Sequence, residues 1–356
     1  MRSHVEWLES LSPWPEEFGL ERMRALVAQL GDPQRAYPAI HVVGTNGKST
    51  ATRTIEELLA AEGLAVGAYL SPHVRGWSER IRVRGAEAEL EPALERVRTD
   101  AAELGATQFE VLTAAALAEF VAAGVDVAVV EAGLGGRLDA TNVLDARVVL
   151  LTNVSLEHTD VLGGTREAIA GEKLAVARPE AVVVLGEPEW AALVPGRRIV
   201  AGGAREAAEA FLGRPVTAEV DVELPGRLEL RAEQPLELWD GAHNPAGAEY
   251  LAARAAGREW VIVASILQDK DVEGMLRTLR RLGTSFVATI SSNPRALAAP
   301  ELAALAAPVF DRVEALADPA EAVARARELA GPDGAVLVTG SLYLLSDLSD
   351  RLQGVP

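Results

Sequence analysis

Short apolar runs rich in β-branched residues alternate along this chain with longer stretches whose apolar positions recur every three to four residues. The runs at 38–43, 125–131, 147–154, 181–186, 236–240, 260–266, 285–290 and 335–340 read as strands. The stretches at 21–30, 49–62, 92–104, 109–123, 165–178, 246–256, 272–282 and 319–329 read as helices. Such alternation predicts an α/β fold with largely parallel sheets covered on both faces. Ligands of such sheets gather beyond the carboxyl ends of the strands. Pro225-Gly-Arg-Leu-Glu229 and Ala232-Glu-Gln-Pro235 interrupt the pattern before Leu236-Glu-Leu-Trp-Asp240 restarts it. That interruption predicts two domains, 1–232 and 233–356, which the length of 356 residues comfortably allows.

Composition narrows the function. The net charge of −18 comes from acidic residues spread along the whole chain, which argues against nucleic-acid binding. No apolar run approaches the roughly 18–20 residues of a membrane span, and the charged start Met1-Arg-Ser-His-Val-Glu lacks the apolar stretch of a signal peptide. A cytoplasmic protein is expected. Cysteine is absent, which removes disulfides, thiol catalysis and cysteine-bound metals. Of 34 basic residues only three are lysine, Lys48, Lys173 and Lys270. Arginine stays charged, whereas lysine is a compact ammonium that can lose its proton and react as an amine. The surviving lysines therefore mark candidate chemistry.

Lys48 follows a short apolar strand and the turn Gly44-Thr-Asn-Gly47, and it opens a helix whose Ile55, Leu58 and Leu59 share one face. Glycine lets such a turn aim backbone amides at an anion, and the helix N-terminus adds partial positive charge. Lys48 is then placed for the β- and γ-phosphates, and Ser49 or Thr50 for a hydroxyl on Mg²⁺. The usual phosphate-loop pattern wants glycine where this chain has Val42. The strand at 125–131 ends in Glu131, before the flexible Ala132-Gly-Leu-Gly-Gly136. A carboxylate there suits Mg²⁺, although an ordinary strand-end glutamate reads the same way. His73, His158 and His243 all sit at junctions of this kind. A lone histidine is more often a cap or core residue, but the clustering favours function.

These residues carry a resemblance to the dihydrofolate synthase and folylpolyglutamate synthase family of the Mur ligase superfamily. It runs from about 14 to 345 through Gly44–Lys48, Leu70-Ser-Pro-His73 with Glu79-Arg-Ile81, and Phe109-Glu110 with Thr113-Ala114. It continues through Glu131–Asn142, His158-Thr159 with Leu162-Gly163, Glu172-Lys173 and Pro225-Gly-Arg-Leu228. Asp240-Gly-Ala-His-Asn-Pro245, Asp269-Lys-Asp271 and Thr339-Gly-Ser-Leu-Tyr343 complete it. The resemblance implies a phosphate-loop domain of the Mur central type and a smaller Rossmann-like α/β C-terminal domain. It implies ATP at Gly44, Thr45, Asn46, Gly47, Lys48, Ser49 and Thr50, with Arg227, Asp240 and His243 contributing from the hinge and the second domain. Ser71, Glu131 and His158 would ligate Mg²⁺, and Lys173 would be carbamoylated, which only a primary amine permits. Phe109, Glu110, Arg137, Leu138, Asp139 and Ala140 would meet the pterin-bearing substrate.

The implied reaction is ATP-dependent addition of L-glutamate to dihydropteroate, to folates, or to both, by a monomeric enzyme with Lys48, His158 and Lys173 as its catalytic groups. Two departures stand out. Ser49 replaces the glycine usual in the folate branch, as in the peptidoglycan ligases, and Glu206 stands where an asparagine for the nucleotide is expected. A peptidoglycan-type ligase acting on a UDP-linked precursor and a non-catalytic nucleotide-binding relative are the alternatives.

Overall fold

The computed structural model describes residues 3–15 and 17–352. The chain forms two compact units, one of Met1–Pro72 with Trp77–Val222 and one of His73–Gly76 with Glu223–Pro356. The first contains β1 (Ala39–Val43), β2 (Val66–Tyr69), β3 (Ile81–Val83), β4 (Ala86–Glu87), β5 (Val127–Glu131), β6 (Val148–Leu151), β7 (Val182–Leu185) and β8 (Arg198–Ala201). They form one sheet in the order β4-β3-β2-β5-β1-β6-β7-β8. From β2 to β8 every pairing is parallel, and the β2–β3 and β3–β4 pairings are antiparallel, so that β3 alone runs against the rest.

Alternation along β1 explains the layers. Ile40 and Val42 pack with Ile55, Leu58 and Leu59 of the helix Lys48–Ala61. Ala39 and Val43 face the opposite side, towards Val111, Leu112 and Ala115 of the helix Gln108–Ala123. That second helix is apolar nearly all round and is buried accordingly. The ring of its Phe120 lies where a Cβ on Gly67 of β2 would have to go, so strand and helix pack at glycine distance. Truncating Phe120, which is fully buried, would cost about 3–5 kcal/mol.

The second unit holds β9 (Glu229–Glu233), β10 (Leu236–Trp239), β11 (Val261–Ala264), β12 (Ser285–Ala288), β13 (Arg312–Ala315) and β14 (Ala335–Thr339). Their order is β13-β12-β11-β14-β10-β9, and β9 alone is antiparallel. The α/β class with parallel-dominated sheets is therefore what the pattern of apolar runs implies. The division falls at 222/223 rather than 232/233. Glu229–Glu233 is not the end of the first domain, because it pairs with β10 as the edge of the second sheet. The helix expected over 92–104 is two short ones, Leu90–Glu95 and Arg98–Glu103.

Candidate active site

The carboxyl ends of β2, β5, β1 and β6 lie side by side in the sheet order and carry most of the expected chemistry. β1 runs directly into the turn at Gly44, whose φ is 150°. A Cβ there would collide with the Thr152 hydroxyl. Gly47, with φ 79°, is the N-cap of the helix that Lys48 opens. The segment after β6 clamps the turn. Thr45 N donates to Asn153 O at 2.9 Å, Asn46 N to Asn153 Oδ1 at 2.9 Å, and Thr152 Oγ1 to Asn46 O at 2.8 Å. Lys48 folds back so that Nζ donates to the carbonyls of Gly44 and Thr45, each at 3.1 Å. A phosphate would replace weak carbonyl partners with charged ones.

Glu131 ends β5 almost completely buried. Its Oε1 accepts from Ser49 Oγ at 3.0 Å and its Oε2 from the amide of Ser71 at 3.0 Å. The sequence left Ser49 and Thr50 as equal hydroxyl candidates. The structure brings Ser49 to the carboxylate, while Thr50 is exposed. His158 holds a left-handed backbone, φ 45°, at the start of the short helix Thr159–Leu162. That conformation costs a non-glycine residue about 1–2 kcal/mol. Among the described residues no three His, Asp or Glu side chains converge as a ready cage for a metal. The buried Glu131 carboxylate and the Ser49 hydroxyl bonded to it suit Mg²⁺, which takes few protein ligands and draws the rest from phosphates and water.

Lys173 is 1% exposed on the helix Arg166–Leu174. Its Nζ donates to Gly44 O at 2.9 Å and to Glu157 Oε1 at 2.8 Å, so both it and Lys48 share one carbonyl of the phosphate loop. Burial pushes the Lys173 amine down towards its neutral form, against the pull of Glu157 and with the help of Lys48. Burial alone would raise Glu157, but the ammonium groups of Lys173 and Lys48 hold it below the usual carboxylate range. Glu157 was not among the residues that the sequence singled out. Its only signal is a place next to His158, since its partner lies sixteen positions away.

A cleft of about 640 Å³ opens in the same unit. Five of the six expected substrate residues line it: Phe109, Glu110, Leu138, Asp139 and Ala140. Arg137 does not. Its Nε bonds Glu172 Oε1 at 2.9 Å, and Glu172 is on the lining. Thr107 caps the helix Gln108–Ala123, and the Glu110 carboxylate accepts from the Thr107 amide at 2.8 Å. Arg22 Nε pairs with Glu110 at 3.0 Å. Gly133 has no Cβ because the Phe109 ring occupies that space. Trp14 and Phe18, 48% and 42% exposed, also line the cleft and were missed. Large exposed aromatics before the first strand were the available signal.

The second unit assembles its own expected residues. Asp240 is buried beyond β10, where Oδ2 accepts from Leu228 N and Oδ1 from Ala242 N, both at 2.9 Å. Burial raises its pKa, and the Arg227 guanidinium and these amides oppose the rise. Arg227 donates to Gly226 O at 3.0 Å, and His243 Nδ1 lies 2.9 Å from Gly241 O. Glu206, in the first unit, accepts from Gly203 N and caps the helix Ala204–Leu212.

Comparison with known proteins fits this geometry. Residues 42–193 match the Mur ligase middle domain and residues 226–342 the Mur ligase glutamate ligase domain. The dihydrofolate synthase/folylpolyglutamate synthase of Mycobacterium tuberculosis is 34% identical, over 92% of this chain and 89% of its own length. The Escherichia coli protein of that name is 32% identical over 98% and 95%. Among solved structures, Mycobacterium tuberculosis folylpolyglutamate synthase complexed with ADP superposes with a TM-score of 0.88 at 31% identity, covering 98% of this chain and 97% of that one. Escherichia coli FolC in complex with DHPP and ADP gives 0.88 at 30%, covering 99% and 98%. The chain belongs to the dihydrofolate synthase/folylpolyglutamate synthase family of Mur ligases.

Proposed function

We propose that this chain is an ATP-dependent ligase that joins L-glutamate to the carboxylate of dihydropteroate, of folyl-glutamates, or of both. The observation that carries this reading is Glu131, buried at the mouth of a phosphate loop, hydrogen-bonded to Ser49 and Ser71, with an aromatic-lined cleft in the same unit. Relatives add support, since a related bifunctional synthase has been solved with Mn, AMPPNP and L-glutamate bound.

In the first step the acceptor carboxylate attacks the γ-phosphorus of ATP and expels ADP, leaving an acyl phosphate. The amine of L-glutamate then attacks the acyl carbon, inorganic phosphate leaves, and the amine gives up a proton. Phosphoryl transfer of this kind depends on positioning and charge neutralisation. Lys48 supplies a cation at the loop, and the loop glycines and helix N-terminus supply amides. Bound through Glu131, Ser71 and His158, Mg²⁺ would neutralise charge on the transferring group. Lys173, beside the same carbonyl as Lys48, is the amine we assign to carbamoylation. The carbamate would place a second anion next to Glu157, so Glu157 must turn away as it forms. Arg227, Asp240 and His243 are assigned to ATP. The protein acts as a cytoplasmic monomer on small molecules, and no helix among the described residues is long and apolar enough to cross a membrane.

ADP release measured with dihydropteroate and with a folyl-glutamate, each with and without L-glutamate, tests the reading. Glutamate-dependent release with either acceptor supports it. Release only with a UDP-linked precursor, or none at all, overturns it.

A further inference from the structure

His41 lies in the middle of β1 with no exposed surface, and none of the roles assigned above uses it. Its register neighbours are Val130 of β5 and Val149 of β6, both fully buried. An aliphatic side chain would pack here without the cost of desolvating an imidazole. The histidine must therefore be explained by what it touches. Its Nε2 lies 2.8 Å from Thr141 Oγ1, while Nδ1 has no hydrogen-bond partner.

Thr141 in turn meets Asp139 twice, through its amide at 3.0 Å from Oδ1 and through its hydroxyl. The other carboxylate oxygen, Oδ2, accepts from Gly133 N at 3.0 Å and Leu134 N at 2.8 Å. Four donors aimed at two oxygens are the surroundings of an ionised carboxylate, even though burial raises the pKa of Asp139. A hydroxyl has one proton to give. Thr141 must spend it on Asp139, so its oxygen accepts from His41, and the ring carries its proton on Nε2. Burial, reinforced by the Arg178 guanidinium, pushes His41 down to about 3, which keeps the ring neutral. Asp139 thus ties both ends of the turn between Gly133 and Thr141, and that turn presents Leu134, Leu138 and Ala140 to the cleft. β1 continues from His41 into the phosphate loop at Gly44.

We propose that His41 is a positioning residue for the acceptor: through Thr141 it fixes the rotamer of Asp139, and with it the turn on which the pteroyl group lies, in register with the phosphate loop. This rests on the reading of the cleft as the acceptor site.

His41→Leu keeps the volume and removes the donor. The acceptor KM is expected to rise about tenfold, the loss of one hydrogen bond in a charge-linked chain. The KM for ATP should stay within about twofold and the melting temperature should change little, because the desolvated imidazole is removed while Thr141 keeps its bond to Asp139. His41→Gln, which restores an N–H donor, should recover most of the acceptor affinity. Thr141→Val cuts the same chain one atom later and carries the test if His41→Leu does not fold. An unchanged acceptor KM in the folded variants overturns the proposal. So does a parallel rise in both KM values with a fall in melting temperature, which would make His41 a core residue only. A wild-type protein that turns over no pteroyl acceptor would instead overturn the reading of the cleft.

Discussion

The two sheets share an architecture but end differently. Beyond the strands of the first sheet, ionisable groups meet one another: Lys48, Glu131, Glu157 and Lys173 within reach of one loop. Beyond the second, Asp240 is held by backbone amides, and serine hydroxyls take up much of the rest of the rim. Ser265 Oγ donates to Ser291 Oγ at 3.2 Å, Ser291 N to Ser265 Oγ at 3.0 Å, and Tyr343 N to Ser341 Oγ at 3.1 Å. The lysine of the second unit, Lys270, pairs with its neighbour Asp269 at 3.2 Å. A parallel sheet offers a rim in both cases, and the loop residues decide what chemistry the rim can do. The proposed charge neutralisation rests on the first sheet, where two lysines share one loop carbonyl.

Lys48→Ala would break that assignment most directly. It should lower kcat on the order of 10³-fold, since a cation that meets developing charge acts mainly in the transition state. The helix should survive, because alanine is a better helix former. Circular dichroism with steady-state kinetics checks both. A variant keeping more than about a tenth of wild-type kcat removes the phosphate loop from the mechanism.

Lys173 sharpens the comparison, because it shares a phosphate-loop carbonyl with Lys48, whereas Lys270 pairs with its sequence neighbour Asp269. Lys173→Arg should lose on the order of 10²-fold in activity, as a guanidinium cannot capture CO₂ and stays charged where burial favours neutrality. Lys173→Ala should regain part of its activity with short carboxylates that mimic a carbamate. If no carboxylate rescues it and Glu157→Gln shows the same loss, the Lys173–Glu157 pair is a structural tie. Smaller again is the effect of Glu131→Gln, which should raise the Mg²⁺ concentration for half-maximal activity by about tenfold or more. Magnesium titrations that overlay the wild type would make Glu131 an ordinary strand end.

The sequence revealed the buried centre of each sheet and lost the margins. β1, β5, β6, β7, β10, β11, β12 and β14 are short, nearly uninterrupted apolar runs, and each appears within a few residues of its expected span. β4, β8, β9 and β13 are edges with exposed or half-exposed residues, and they carry charges such as Arg198, Glu233 and Arg312 that blur any alternation. β2 is central, but its Gly67 serves Phe120, a reason that no local pattern contains. The site divides in the same way. Glycine turns, a lysine and a strand-end glutamate announce themselves locally. Glu157, Asn153 and the His41–Thr141–Asp139 chain exist only after folding, because each joins positions far apart in sequence. The histidines at loop junctions drew attention, while His41, inside a strand, has the more demanding surroundings.

The smallest expected effect lies where the second unit imitates the first. Glu56, in the first unit, is buried and clasped by Arg53 and Arg82. Glu314, in the second, is clasped by Arg325 and Arg312 but stands near solvent. Hydrogen bonds from Arg325 and then Arg312 hold Glu314 down at about 2. Its unfolded value is near 4.3. A carboxylate whose folded pKa is depressed stabilises the protein above the unfolded value, and that contribution disappears as pH falls through the folded one. Glu314→Gln should therefore lower stability at pH 7, and the difference from wild type should shrink below about pH 4.5 and vanish near pH 2. Solvent screening keeps it to about 0.2–1 kcal/mol, less in high salt. Chemical denaturation of both proteins at pH 7, 4 and 2.5 measures this. A difference that persists unchanged to pH 2.5 would show that Glu314 acts through packing, and the likeness to Glu56 would then lie in burial rather than charge.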